Sequence, residues 1–201
     1  MSQVKLKFIE AMAAVTPVFG ALLQSGDKLT DLFAKLQGLL GVRNARASIT
    51  SVVSGGNSTT ADQIIVTTSI PADYLALSGT IDVRAAGIFT KPLSSGTSLT
   101  FWVKVGANKI ASFAYVPTSA QTTRNFRLDV VLVARAIGAS GSLVASGICN
   151  TDTSTKQLTF ASGTTGAANT TAAVPITIGY TFSNSNASNN VTAHTAIIEM
   201  K

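Results

Sequence analysis

Period-two alternation governs most of this chain. Between residues 124 and 136, Phe126, Leu128, Val130, Leu132, Ala134 and Ala136 recur at every second position. Side chains of a strand alternate between its faces, so these six share one side. Arg127, Asp129, Val131, Val133 and Arg135 take the other side, charged toward the ends and apolar in the middle. After Gly138-Ala139-Ser140-Gly141 the pattern returns more weakly in Leu143, Ala145 and Cys149. The intervening glycines suit the positive-φ positions of a short reversal. This predicts a long hairpin with one buried face. A lone hairpin is marginal in water, so a second sheet must cover it.

The same period marks further strands. Ile49, Ser51 and Val53 alternate with small residues until Ser54-Gly55-Gly56-Asn57 breaks the run. Residues 64–70 form a second run, stopped by Pro71. In residues 77–89, Ile81, Val83 and Ala85 lie opposite Asp82 and Arg84. In residues 99–105, Phe101, Val103 and Val105 lie opposite Trp102 and Lys104, and Gly106-Ala107-Asn108 turns the chain back into 110–116. Residues 158–160, 175–182 and 191–200 complete the series. In the last, alternation places Val191, Ala193, Thr195 and Ile197 on one face and Thr192, His194, Ala196 and Ile198 on the other. About ten strands spaced by about ten residues indicate a sandwich or barrel. A chain that closes on a strand fixes that end in a sheet, with the first and last strands side by side.

Residues 1–46 follow a different period. Val4, Phe8, Ile9, Met12 and Val15 suit one helical face, ended by Pro17. Leu29, Leu32, Phe33, Leu36, Leu39 and Leu40 recur at three- and four-residue spacing, with Ser25 and Asp27 as caps and Gly38 and Gly41 at the end. This predicts a short helical extension, 1–46, on an all-β body, 47–201. Its apolar stripe packs on the chain's own sandwich or docks against sister subunits or a larger body; the second reading is preferred.

Composition narrows the class. Charged residues are 12% of 201, about half the usual share, and small polar residues take their place. Such a neutral surface suits packing against copies or within a shell. The net charge is +6. Residues 1–46 hold six basic against three acidic side chains, the remainder nine against six. The basic residues are scattered, with no interleaved aromatics, so nucleic-acid binding has little support. Glu10 and Pro17 interrupt the apolar run behind Lys5 and Lys7, and no stretch reaches the roughly 20 apolar residues of a membrane span.

Candidate chemistry is sparse. His194 is the sole histidine and Cys149 the sole cysteine, too few for a zinc set or a disulfide framework. No serine or cysteine sits in a nucleophile elbow. Gly163-Thr164-Thr165-Gly166 lacks the lysine of a phosphate loop. The expectation is a protein without catalysis, cofactor or metal. Trp102 faces away from Phe101, Val103 and Val105, either filling the far side of a sheet or lying in a subunit contact, where aromatics are enriched.

Three segments carry a resemblance. They are Ile70-Pro71-Ala72-Asp73-Tyr74-Leu75-Ala76-Leu77-Ser78-Gly79-Thr80-Ile81-Asp82-Val83-Arg84-Ala85-Ala86-Gly87, the strand 99–106 with its return, and the hairpin from Arg124 through Arg135 to Gly138-Ala139-Ser140-Gly141. With the asparagine-rich loop before the closing Ile198-Glu199-Met200-Lys201, this order resembles the jelly-roll domains of small tailed-phage virion proteins, over roughly residues 45–201. The resemblance implies a jelly-roll β-sandwich, a homotrimer and a location in the virion, as capsid decoration or as a head or tail fibre. Anchoring to other virion proteins would then fall to Leu29, Leu32, Phe33, Leu36, Leu39 and Leu40. The alternative is a carbohydrate- or receptor-binding module, with loops 55–62 and 163–173 as a contact surface for a host glycan. No membrane partner is expected.

Overall fold

In the computed structural model the described residues are 46–48, 53–55, 59–91, 97–116, 119–152, 154–158 and 165–201. The expected helical extension and its stripe from Leu29 to Leu40 lie outside them. Twelve strands occupy the described chain: β1 (Arg46–Ser48), β2 (Val53–Gly55), β3 (Gln63–Ile70), β4 (Thr80–Lys91), β5 (Leu99–Val105), β6 (Asn108–Tyr115), β7 (Gln121–Ala136), β8 (Ser142–Thr151), β9 (Ser154–Leu158), β10 (Thr165–Ala167), β11 (Val174–Phe182) and β12 (Asn190–Met200). There is no helix among the described residues.

The strands form two sheets, antiparallel throughout. The larger runs β1-β12-β4-β7-β8-β10, with β2 beside β1 on β12 and β9 beside β10 on β8. The smaller runs β3-β11-β5-β6. Taken from the ends inward, β1 pairs with β12, β3 with β11, β4 with β7 and β5 with β6. The strands β8, β9 and β10 are inserted between β7 and β11 and widen the larger sheet.

The two sheets bury their facing sides against each other as a sandwich. The alternation read from sequence selects those sides. Phe126, Leu128, Val130, Leu132 and Ala134 of β7 are buried, as are Ile81, Val83, Ala85 and Phe89 of β4 and Phe101, Val103 and Val105 of β5. One continuous apolar cluster results. Phe101 and Phe126 stack across the layers at 4.3 Å between ring centroids, and Phe89 meets Phe101 and Tyr115 edge-on at 6.4 and 5.6 Å. Each such large apolar side chain contributes about 1.5–3 kcal/mol on burial.

The register shifts in five strand pairs, β3–β11, β4–β12, β4–β7, β5–β6 and β7–β8, and the first two are bulges in β3 and β12. In β3, Ile64 pairs with Gly179 and Val66 with Ile178, so Ile65 is surplus. In β12, Ala193 pairs with Gly87 and Thr195 with Ala86, so His194 is surplus. The second bulge corrects the face expected for the terminal strand. Val191 and Ala193 point inward, but beyond His194 it is Ala196, Ile198 and Met200 that are buried, while Thr195 and Ile197 turn outward. A residue inserted in one strand shifts the alternation by one position, and a strand of period two then changes face.

At one end of the sandwich the connections are tied together. Asp73 N–H donates to the Thr170 carbonyl at 2.7 Å, and Thr170 N–H donates to the Gly138 carbonyl at 3.0 Å. Gly138, at φ 100°, supplies the left-handed residue of the β7–β8 turn.

Candidate functional site

The outer face of the smaller sheet is closed by a polar cluster built over Trp102. Strand β5 points Trp102 and Lys104 away from the core. Register pairs Lys104 with Lys109 of β6, and Trp102 with Gly179 of β11. Gly179 makes the room: a Cβ there would lie 2.3 Å from the indole Cη2 and 2.2 Å from the Gln63 carbonyl oxygen. Trp102 is 1% exposed. Its Nε1–H donates to Thr181 Oγ1 at 2.9 Å, and Thr181 donates to Asp62 Oδ1 at 2.6 Å. Lys104 Nζ reaches Asp62 Oδ2 at 2.7 Å and Lys109 Nζ reaches Asp62 Oδ1 at 2.6 Å. Both ammonium groups lie over the indole, 4.7 and 5.1 Å from its centroid, a cation–π geometry.

The electrostatics of this cluster are one-sided. Burial pushes the Asp62 carboxyl upward, but hydrogen bonds from Lys104, Lys109 and Thr181 and the charge of Lys109 outweigh it, leaving the group well below the usual carboxylate range. The carboxylate is therefore the fixed centre of the cluster. Trp102 fills the far side of its sheet and is covered by side chains of its own chain.

The outer face of the larger sheet is open. It carries a groove of about 520 Å³ lined by Asp82, Arg84, Arg127, Asp129, Val131 and Ile148 among others. A second of about 280 Å³ shares Arg84, Arg127 and Asp129 and reaches Thr195 and Ile197. The charges are satisfied along each strand, two residues apart. Arg84 Nη2 donates to Asp82 Oδ2 at 2.8 Å, and Arg127 Nε to Asp129 Oδ2 at 2.7 Å. Lys201 also pairs with Asp82. Between these pairs Val131 stands 38% exposed, the apolar middle that the alternation predicts.

Elsewhere the described residues hold further titratable groups. Cys149 is buried, and burial with the nearby charge of Asp129 pushes its thiol up to about 12. Burial likewise pushes the Tyr180 phenol up to about 12. His194 is exposed at its bulge. Lys91 ends β4 on the inward side, 0% exposed, with its ammonium donating to the Thr97 hydroxyl. Burial lowers its pKa. In the adjacent strand end, Asn189 is also wholly buried, and its Oδ1 has no partner among the described residues. Among the described residues there is no metal-ligand cluster and no helix long and apolar enough to cross a membrane.

The loops expected to act together sit apart. The described part of the first, residues 59–62, leads into the start of β3, whereas the second leads into Val174, which pairs with Ile70 at the end of β3. Eight residues of strand, about 26 Å, separate them. Sequence reasoning passed over Asp62, Lys109, Thr181 and Lys91. For Lys91 a signal existed, since it shares the parity of Ile81, Val83, Ala85 and Phe89.

No protein-family model matches the chain, and no curated protein matches it either. Among solved structures, the CBM2 module of the evolved Dit of Lactobacillus casei BL23 phage J-1 is similar over 66% of this chain and 67% of that one. The TM-score is 0.34 and the identity 9%.

Proposed function

We propose that this chain is a non-enzymatic structural protein of a bacteriophage virion, a trimer that decorates a capsid or forms part of a fibre, with its sandwich a jelly roll. The observation that carries the reading is the nested pairing of β1 with β12, β3 with β11, β4 with β7 and β5 with β6. That order, read as a long double hairpin rolled into two layers with β8–β10 as an insertion, supports the jelly-roll reading. The low charge of the chain and the self-paired ions on its outer faces support a role in packing. The glycan-binding alternative has less behind it. Its two loops lie at opposite ends of β3, and lysine side chains cover the ring of Trp102.

The test is the mass of the full chain in solution. Mass photometry is expected to give particles built on three copies of the 20.6 kDa chain; a monomer at micromolar concentration would sink the assembly reading. Multivalent contact would then hold the protein on its virion without any single tight site.

A further inference from the structure

The outer face of the larger sheet has a pattern that a single copy does not use. Its strands β12, β4, β7 and β8 place outward side chains in rows across the sheet. The central row reads Ile197, Arg84, Asp129, Ile148, since Ile197 pairs with Arg84, Arg84 with Asp129, and Asp129 with Ile148. The row on one side reads Glu199, Asp82, Val131, Ser146, and that on the other Thr195, Ala86, Arg127, Asn150.

We propose that this face is a two-fold contact with a second copy of the chain. A two-fold axis parallel to the strands, midway between β4 and β7, lays β4 of one copy over β7 of the other and β12 over β8. In the central row each Arg84 then faces Asp129 of the other copy, and each Ile197 faces Ile148. In the flanking rows Asp82 faces Val131, Glu199 faces Ser146, Ala86 faces Arg127 and Thr195 faces Asn150. No side chain meets its own sign of charge, and two new opposite-charge pairs form at the centre. Isologous contacts require this self-complementarity. Arg84 keeps its bond to Asp82 and still presents to the second copy a side chain that is 53% exposed.

The three rows cover about 300 Å² as a flat patch, and the whole face, four strands about 4.8 Å apart and about ten residues long, covers about 600 Å². A standard interface covers roughly 800 Å² per partner. The net charge of the three rows is −1, from two arginines against Asp82, Asp129 and Glu199, and Lys201 lies on Asp82. That balance gives an acidic or basic partner nothing to select and suits another copy.

This inference deepens the assembly reading and rests on it. The two are separated by sedimentation velocity and mass photometry of the full chain. The expected particle holds six chains, two trimers joined through this face. Arg84→Glu sets like charges against each other and is expected to weaken the joining step at least tenfold, leaving trimers. Asp129→Lys is a second variant with the same expected outcome, and the double exchange Arg84→Asp with Asp129→Arg is expected to restore the larger particle. Trp102 fluorescence confirms that each variant is folded. Wild-type trimers that never pair would overturn the face and keep the trimer. Wild-type dimers that Arg84→Glu dissociates would support the face and overturn the trimer. An even-numbered particle indifferent to all three variants would place the contact elsewhere and overturn the inference.

Discussion

The two outer faces of the sandwich use similar side chains in opposite ways. On the smaller sheet, Lys104, Lys109 and Thr181 converge on one carboxylate, Asp62, and together they bury an indole. On the larger sheet, Arg84 and Arg127 each hold a carboxylate of their own strand, and the surface between them stays in water. A convergent ion cluster over an aromatic ring adds to the fold. Parallel pairs with an apolar gap leave the fold nearly indifferent and the surface available. Charge therefore stabilises one face and marks the other.

Substitutions sharpen this contrast. Trp102→Ala removes a wholly buried indole from the closed face and is expected to cost about 3–5 kcal/mol, read as a lower urea midpoint by far-ultraviolet circular dichroism. Gly179→Ala puts a methyl group into the indole and the Gln63 carbonyl, and is expected to cost about 1–3 kcal/mol by the same measurement. Lys91→Met lies inside the sandwich and has the opposite sign. It replaces a buried cation that has no carboxylate partner among the described residues by an apolar side chain of similar length, and is expected to raise stability by about 1–3 kcal/mol.

Proton titration separates Lys91 and Asp62 further. The folded pKa of Lys91 is depressed, so the unfolded chain binds more protons between that value and the ordinary lysine value, and wild-type stability rises with pH across the window. Lys91→Met is expected to flatten that rise. The folded pKa of Asp62 is also depressed, but here the stabilisation is present above the ordinary aspartate value of about 3.9 and is lost as pH falls through the folded one. Asp62→Asn is expected to cost about 1 kcal/mol at neutral pH after solvent screening, with the difference from wild type shrinking below pH about 4. Smallest of all, Arg84→Ala on the open face is expected to leave the unfolding midpoint within about 0.5 kcal/mol of wild type. A large loss there would erase the distinction between the faces.

Sequence alternation carried most of the architecture because burial follows parity. Phe126 to Ala134 and Phe101 to Val105 turn inward as read, and Pro71 follows the last residue of β3. What alternation did not carry falls into two kinds. Ile65 and His194 are ordinary residues whose surplus status arises only from pairing with β11 and β4. The Asp62 cluster joins residues 42, 47 and 119 positions apart, so its members meet only once β11, β5 and β6 are side by side. Trp102 had two readings in sequence, and Gly179, 77 residues away, decides how deeply the ring sits. The stripe from Leu29 to Leu40 lies outside the described residues.

The surplus residue at position 194 has a consequence for how the chain tolerates change. Its imidazole touches solvent, so chemistry asks little of it, and serine or lysine would serve there. Its removal asks little as well. With one letter fewer, Ala193 and Thr195 keep Gly87 and Ala86 as partners in consecutive positions, the strand becomes regular, and Ala196, Ile198 and Met200 stay in the interior. What this position supplies is a local bend in the ladder, and the rows on the open face, set by the partners of Thr195, Ile197 and Glu199, outlast its loss.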